Sequence, residues 1–248
     1  CGQTPSLSTI KKKDKPGTCT DQLHIASLRN SSSGQHLCGA TLLSVDFALT
    51  AAHCVSSPPE EYNLHLNNAC GQPLYAVIEE IIVHDLYDTL LIAHDIALIK
   101  VNLTIDDTTW ITYSALPTSM IGLSGECTTY GYGNRKRHVK QISDTLLAGP
   151  MWVVSLDNCT TSLGPNVAPN AGAGMLCAIG DGVDACEGDS GGPLICKGVI
   201  EGVSSYGMDC ALPGRPGVFT SVAAHLEWIR ETMAKVPEPI QLSVRPII

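Results

Sequence analysis

Apolar residues recur along the chain in short runs: Leu23 to Leu28, Ala40 to Leu43, Phe47 to Thr50, Tyr75 to Val83, Ile96 to Val101, Glu126 to Tyr132, Gly198 to Tyr206 and Gly217 to Ser221. Clusters of Gly, Pro, Asn and Ser separate them. Many short β-rich runs between turn signals predict an all-β chain of antiparallel barrels or a sandwich. One segment has a different period. Val222, Leu226, Ile229 and Met233 fall at spacings of four, three and four, which predicts a helix over 222–234 with a buried stripe and Ser221 at its N-cap. Residues 1–19 are polar, lysine-rich and aperiodic, and read as an arm laid over the surface. Beyond the helix, Pro237 to Pro246 reads as an extended tail.

Length and composition narrow this picture. A chain of 248 residues with 44% apolar content makes one large domain or two small ones and can bury a proper core. The formal charge of -9 argues against nucleic acid as a partner, because neutralising phosphates needs a basic surface. The short clusters Lys11 to Lys13 and Arg135 to Arg137 read as solvated loops. Eleven cysteines without a repeated CxxC pair favour disulfides over zinc, and with them an oxidising, secreted, extracellular setting. Asn30, Asn102 and Asn158 each open an Asn-X-Ser/Thr triplet and are candidate glycosylation acceptors. No apolar run approaches the ~20 residues that span a bilayer, so no membrane partner is expected. No leader precedes Cys1, and the chain reads as mature or already trimmed.

Candidate chemistry centres on the stretch from Asp184 to Cys196, where Ser190 stands between Asp189 and two glycines. Gly, Ser, Asp and Pro are also what tight turns use. A serine hydroxyl becomes a nucleophile only when a neighbouring base takes its proton and a carboxylate steadies that base. His53, among small residues at the end of an apolar run, and Asp95, at the start of another, are the candidates for those parts.

Taken together, the motifs TAAHC, HDIAL and GDSGGP, in the order His, Asp, Ser, resemble the three signatures of the trypsin/chymotrypsin family of serine endopeptidases. The resemblance runs from about Leu23 to Ala234. It implies two six-stranded antiparallel β-barrels with the active site in the cleft between them: a first barrel over 20–115 carrying His53 and Asp95, and a second over 116–234 carrying Ser190. The segments 1–19 and 235–248 flank them. It further implies His53 as general base, Asp95 as its orienting partner, Ser190 as the nucleophile of an acyl-enzyme, and Gly188 and Ser190 as the oxyanion hole. Ser205 matches the serine that touches the aspartate. Asp184, six residues before Ser190, matches the floor of the primary pocket, and Gly207 and Gly217 match its walls. A buried carboxylate needs a cation, so cleavage after Arg or Lys is expected, and Glu187 near the cleft disfavours acidic groups beside the cut. Ala185, where many relatives carry serine, favours Arg. The same resemblance pairs Cys38 with Cys54, Cys127 with Cys196, Cys159 with Cys177 and Cys186 with Cys210. It leaves Cys1, Cys19 and Cys70 over. The expected partners are protein or peptide substrates and protein protease inhibitors, for a monomer.

The chain also departs from the family. Tyr132 and Tyr206 replace tryptophans, and Phe219 replaces a tyrosine. The loop around Asn67 to Cys70 lacks the acids that hold calcium in some relatives, so no metal and no cofactor are expected. No Ile-Val-Gly-Gly-like segment is present whose ammonium would pair with Asp189; Ile10, followed by three lysines, is the nearest candidate. An alternative reading is therefore a latent or non-catalytic binding protein on the same fold. A further alternative takes Ser190, Asp209 and His225 as the triad of an α/β-hydrolase esterase, against which the missing alternation of strands and helices counts.

Overall fold

The computed structural model describes residues 8–9 (backbone only), 24–66, 74–103, 111–118, 126–133, 142–143, 146–170, 172–180, 188–208 and 214–235. After the two-residue strand β1 (Ser8–Thr9) come β2 (Ile25–Asn30), β3 (His36–Leu42), β4 (Phe47–Thr50), β5 (Tyr62–Leu66), β6 (Leu74–Val83) and β7 (Ala97–Leu103). Strands β2 to β7 close antiparallel in the order β2-β3-β4-β7-β6-β5, with β5 pairing back to β2 from Ala26 opposite Leu66 to Asn30 opposite Tyr62. Closure removes the sheet edges. Leu28, Leu42, Leu49, Leu64 and Leu98 are wholly buried inside it, each contributing about 2 kcal/mol by burial.

The second barrel comprises β8 (Glu126–Gly131), β9 (Leu147–Val154), β10 (Met175–Ile179), β11 (Pro193–Cys196), β12 (Val199–Tyr206) and β13 (Gly217–Ser221), with helix α1 (Leu156–Leu163) between β9 and β10. Its order is β9-β10-β13-β12-β11-β8, closed by the β8–β9 pairing. Met151, Leu194 and Phe219 fill its centre. The architecture is thus two six-stranded barrels and a C-terminal helix, as the motifs implied. The arm does more than lie on the surface, since Ser8 and Thr9 pair with Ala148 and Leu147 of β9.

Helix α2 (Leu226–Lys235) follows a 3₁₀ turn, Ala223–His225. Ser221 Oγ accepts a bond from Ala224 N at 3.3 Å, so the predicted cap is made one turn early. Leu226, Ile229 and Thr232 are its buried residues, and Met233 is only half-buried. The opening 3₁₀ turn, tighter than an α-turn, shifts the phase of the stripe. Val222 and Ile229 share one buried cluster with the first barrel and with Ile200 and Val203 of β12. The barrels are therefore joined by continuous apolar packing.

Candidate active site

His53 sits in a 3₁₀ turn (Ala52–Cys54) directly after β4. The turn is clamped by the Cys38–Cys54 disulfide to β3. His53 N donates to Asp95 Oδ1 at 2.9 Å, and His53 Nδ1 donates to Asp95 Oδ2 at 2.7 Å. Asp95 is held in a tight turn, with Ile96 N donating to His94 O at 2.8 Å, while Thr220 Oγ1 of β13 donates to the Asp95 carbonyl at 2.7 Å. Ser205 Oγ of β12 donates to Asp95 Oδ2 at 2.5 Å. The carboxylate is completely buried and the imidazole one-third exposed. Burial pushes the Asp95 carboxyl up, but the His53 ring, the Ser205 hydroxyl and the His53 amide overcome it and hold the pKa below the ordinary value. Three donors on one buried carboxylate keep it ionised and fix the proton of His53 on Nδ1, which leaves the Nε2 lone pair facing outward.

Ser190 is held against the first barrel by backbone packing. Gly39 N of β3 donates to Ser190 O at 2.7 Å. A Cβ on Gly39 would come within 2.7 Å of Gly192 Cα, so two backbones touch where any side chain would force them apart. Gly39→Ala is expected to cost about 2 kcal/mol through overpacking, read as a lower urea midpoint. Among the described residues Ser190 Oγ makes no hydrogen bond, and His53 Nε2 lies 3.7 Å from Cys54 Sγ. Such bonds are often long without substrate and tighten in the complex.

Gly188 has φ +95, a conformation that L side chains rarely adopt. Neither its amide nor that of Ser190 donates to an acceptor among the described residues. Between them, Asp189 is buried and accepts from Gly133 N at 2.7 Å. The Gly188 carbonyl accepts from His36 Nε2 at 2.7 Å, and His36 Nδ1 accepts from Ser27 Oγ at 2.7 Å. Burial lowers the His36 pKa, the Gly188 carbonyl raises it in part, and the Arg29 charge lowers it again. Because the folded value lies below the unfolded one of about 6.5, the stability His36 contributes is complete above that pH and is lost as pH falls below it. The wild type is expected to lose more stability between pH 7.5 and pH 5 than His36→Gln, measured by urea unfolding at both.

The structure forms Cys38–Cys54, Cys127–Cys196 and Cys159–Cys177. Among the described residues nothing stands within 4 Å of where a Cβ on Gly207 would lie, and Gly217 opens β13. Tyr206 donates its hydroxyl to Val167 O at 3.1 Å, while Phe219 is wholly buried in the core. Asn30 Oδ1 accepts from Ser32 N and Ser33 N, Asn102 Nδ2 donates to Glu79 Oε1 at 3.3 Å, and Asn158 lies exposed in the first turn of α1. Asp184, Ala185, Glu187, Cys186, Cys210, Asp209, Ile10, the lysines from Lys11, and Cys1, Cys19 and Cys70 lie outside the described residues. The esterase alternative fails on topology: both sheets are antiparallel, and His225 is buried against His94 and the Ser221 carbonyl. Among the described residues no helix is long and apolar enough to cross a membrane.

Two groups escaped sequence reasoning. One is the Ser27–His36 pair that holds the Gly188 carbonyl. The other is a cluster of His84, His94 and His225, of which the first two are ten residues apart and the third is 131 residues beyond His94.

The trypsin family profile matches residues 15–229. The chain is 35% identical to Trypsin-1 of Salmo salar over 219 residues, covering 86% of each. It is 32% identical to Trypsin I-P1 of Gallus gallus over 209 residues, covering 82% of each. Among solved structures it superposes on neuropsin, a serine protease expressed in the limbic system of mouse brain, with a TM-score of 0.75, 27% identity, and coverage of 86% of this chain and 95% of that one. With a buried aspartate gripping an exposed histidine between two β-barrels, and with relatives of this kind along most of its length, the chain belongs to the trypsin family of serine endopeptidases.

Proposed function

We propose that this enzyme is a secreted endopeptidase that cuts peptide bonds after Arg or Lys, with Ser190 as nucleophile, His53 as general base and Asp95 as its orienting partner. The observation that carries the triad reading is the double hydrogen bond from His53 to Asp95, with Ser205 on the same carboxylate. It leaves the Nε2 lone pair of His53 available to take the proton of Ser190, whose backbone carbonyl is bonded to Gly39 N. As Ser190 Oγ attacks the substrate carbonyl, its proton passes to His53 Nε2, and the ionised Asp95 stabilises the resulting imidazolium. The Gly188 and Ser190 amides donate to the developing oxyanion, each worth about 3 kcal/mol of barrier. The same imidazolium protonates the leaving amine, and water then releases the acyl group by the reverse steps.

The Arg/Lys preference rests on Asp184 at the pocket-floor position, on the open space at Gly207, and on the relatives' being trypsins. Asp184→Ser is expected to lower kcat/KM for Arg peptides by about 100-fold or more, since an uncompensated buried cation costs about 3 to 5 kcal/mol. Turnover of Phe peptides should change little. An unchanged Arg-to-Phe ratio would remove Asp184 from the pocket floor. Asp189, packed beneath Gly188 and bonded to Gly133 N, is proposed to set whether the Gly188 amide faces substrate. Labelling of the intact chain with a serine-directed fluorophosphonate separates a working site from a latent one.

A further inference from the structure

We propose that His84, His94 and His225 form a binding site for a divalent transition-metal ion of the zinc type, which ties the first barrel to the C-terminal helix. His84 directly follows β6, and its amide donates to Ile96 O at 3.1 Å. His94 directly precedes Asp95 and has φ +52, a left-handed conformation that turns its ring away from the chain path. His225 closes the 3₁₀ turn before α2. Three segments thus deliver one imidazole each, and one nitrogen from each ring lies within 4.8 Å of the others. Tetrahedral zinc, with Zn–N of about 2.0 Å, spaces its ligand nitrogens about 3.3 Å apart, so small ring rotations complete the geometry.

The surroundings favour a ligand. His225 Nδ1 donates to the Ser221 carbonyl at 2.7 Å, the outer bond that fixes a metal-binding histidine with its Nε2 lone pair free. That Nε2 lies 2.9 Å from His94 Nδ1, which therefore carries the shared proton. On loading, His94 moves this proton to its own Nε2, and both facing nitrogens turn lone pairs to the ion without net proton release. His84 Nδ1 accepts only a 3.2 Å bond from the exposed Leu86 amide, which water can replace.

Space is left at the right place. A Cβ on Gly174 would stand 2.9 Å from His225 Nε2 and 3.2 Å from His94 Nδ1, so the glycine keeps open the gap between two ligand atoms. Trp228 of α2 packs on His84 at 4.8 Å between ring centroids, and the His84 and His94 rings stack at 5.2 Å. These contacts hold the rings side by side, and on loading His84 and His94 rotate out of their parallel stack. Three neutral imidazoles with water in the fourth position are a donor set suited to zinc, copper(II) or nickel rather than to calcium or magnesium. The sequence signalled no metal because neither the cysteine pattern nor the loop near Asn67 involves these three histidines.

The test is calorimetric titration of the disulfide-intact, chelator-treated chain with zinc chloride, beside thermal unfolding with and without zinc. One saturable ion per chain is expected, with melting raised by about 5 °C at saturation. Binding should persist in His53→Ala, which removes the cleft imidazole, and weaken about 10-fold or more in His84→Gln and His225→Gln. His94→Gln, which removes the third ring, should weaken it as well. If burial makes His225→Gln unfold, the half-buried His84 decides. Absence of saturable binding, or binding lost in His53→Ala but kept in His84→Gln, overturns the proposal.

Discussion

Ser190→Ala is expected to lower kcat/KM on peptide substrates by about a million-fold, the scale on which triad members fail together. The substitution deletes the hydroxyl proposed to attack and removes no hydrogen bond made among the described residues, since Ser190 is held there through its backbone carbonyl by Gly39 N. The urea midpoint should therefore stay at its wild-type value while turnover falls to what the oxyanion donors and substrate binding sustain alone. Residual activity within tenfold of wild type, in protein free of contaminating protease, would show that another residue supplies the nucleophile.

Asp95→Asn is expected to lower kcat by about 10,000-fold, for a reason that lies in its hydrogen bonds. Asp95 Oδ1 accepts from the His53 amide and Oδ2 from the His53 ring and Ser205. An asparagine that keeps its oxygen on the His53 amide must point its NH₂ at Nδ1, a donor where an acceptor stood. His53 then places its proton on Nε2, toward Ser190, and cannot take another. Raising the pH, which lets hydroxide take the serine proton in place of the ring, should recover part of the rate. A variant with near wild-type kcat at neutral pH would disprove the tautomer argument. Asp95→Asn should also flatten the acid limb of stability. The depressed Asp95 pKa means that its contribution is present above the unfolded carboxylate value and lost as pH falls through the folded one.

Strands with clean patterning were legible. Phe47–Thr50 and Gly217–Ser221 lie where the runs of apolar residues put them, and most others differ by a residue or two at their ends. Strand β9 was not among the runs singled out from the sequence, and Gly149 and Pro150 interrupt its apolar pattern. It tolerates proline because Pro150 faces Thr128 of β8, while β10 pairs only with residues 152–154 and β1 only with 147–148. The missing N–H falls where the other edge is unpaired among the described residues. Strand β5 was passed over between Pro58–Pro59 and Asn67, although Tyr62, Leu64 and Leu66 alternate inward. Helix α1 was masked by its Asn, Thr and Ser content, and rests on the Ser155 cap and the Cys159–Cys177 bond.

What the sequence by itself determined was the chemistry: a histidine, an aspartate and a serine in motif contexts that few folds share, and an all-β frame announced by short apolar runs. These are local signals, carried by neighbours in the chain. Only the tertiary structure decided what depends on distant partners. It set the three donors on Asp95, the Ser27–His36 hold on Gly188, and the meeting of His84, His94 and His225 from three segments. The physical reason is that each of these groups depends on a partner more than a hundred positions away, Ser205 for Asp95, Gly188 for His36 and His225 for His94, and spacing along the chain carries no record of that approach.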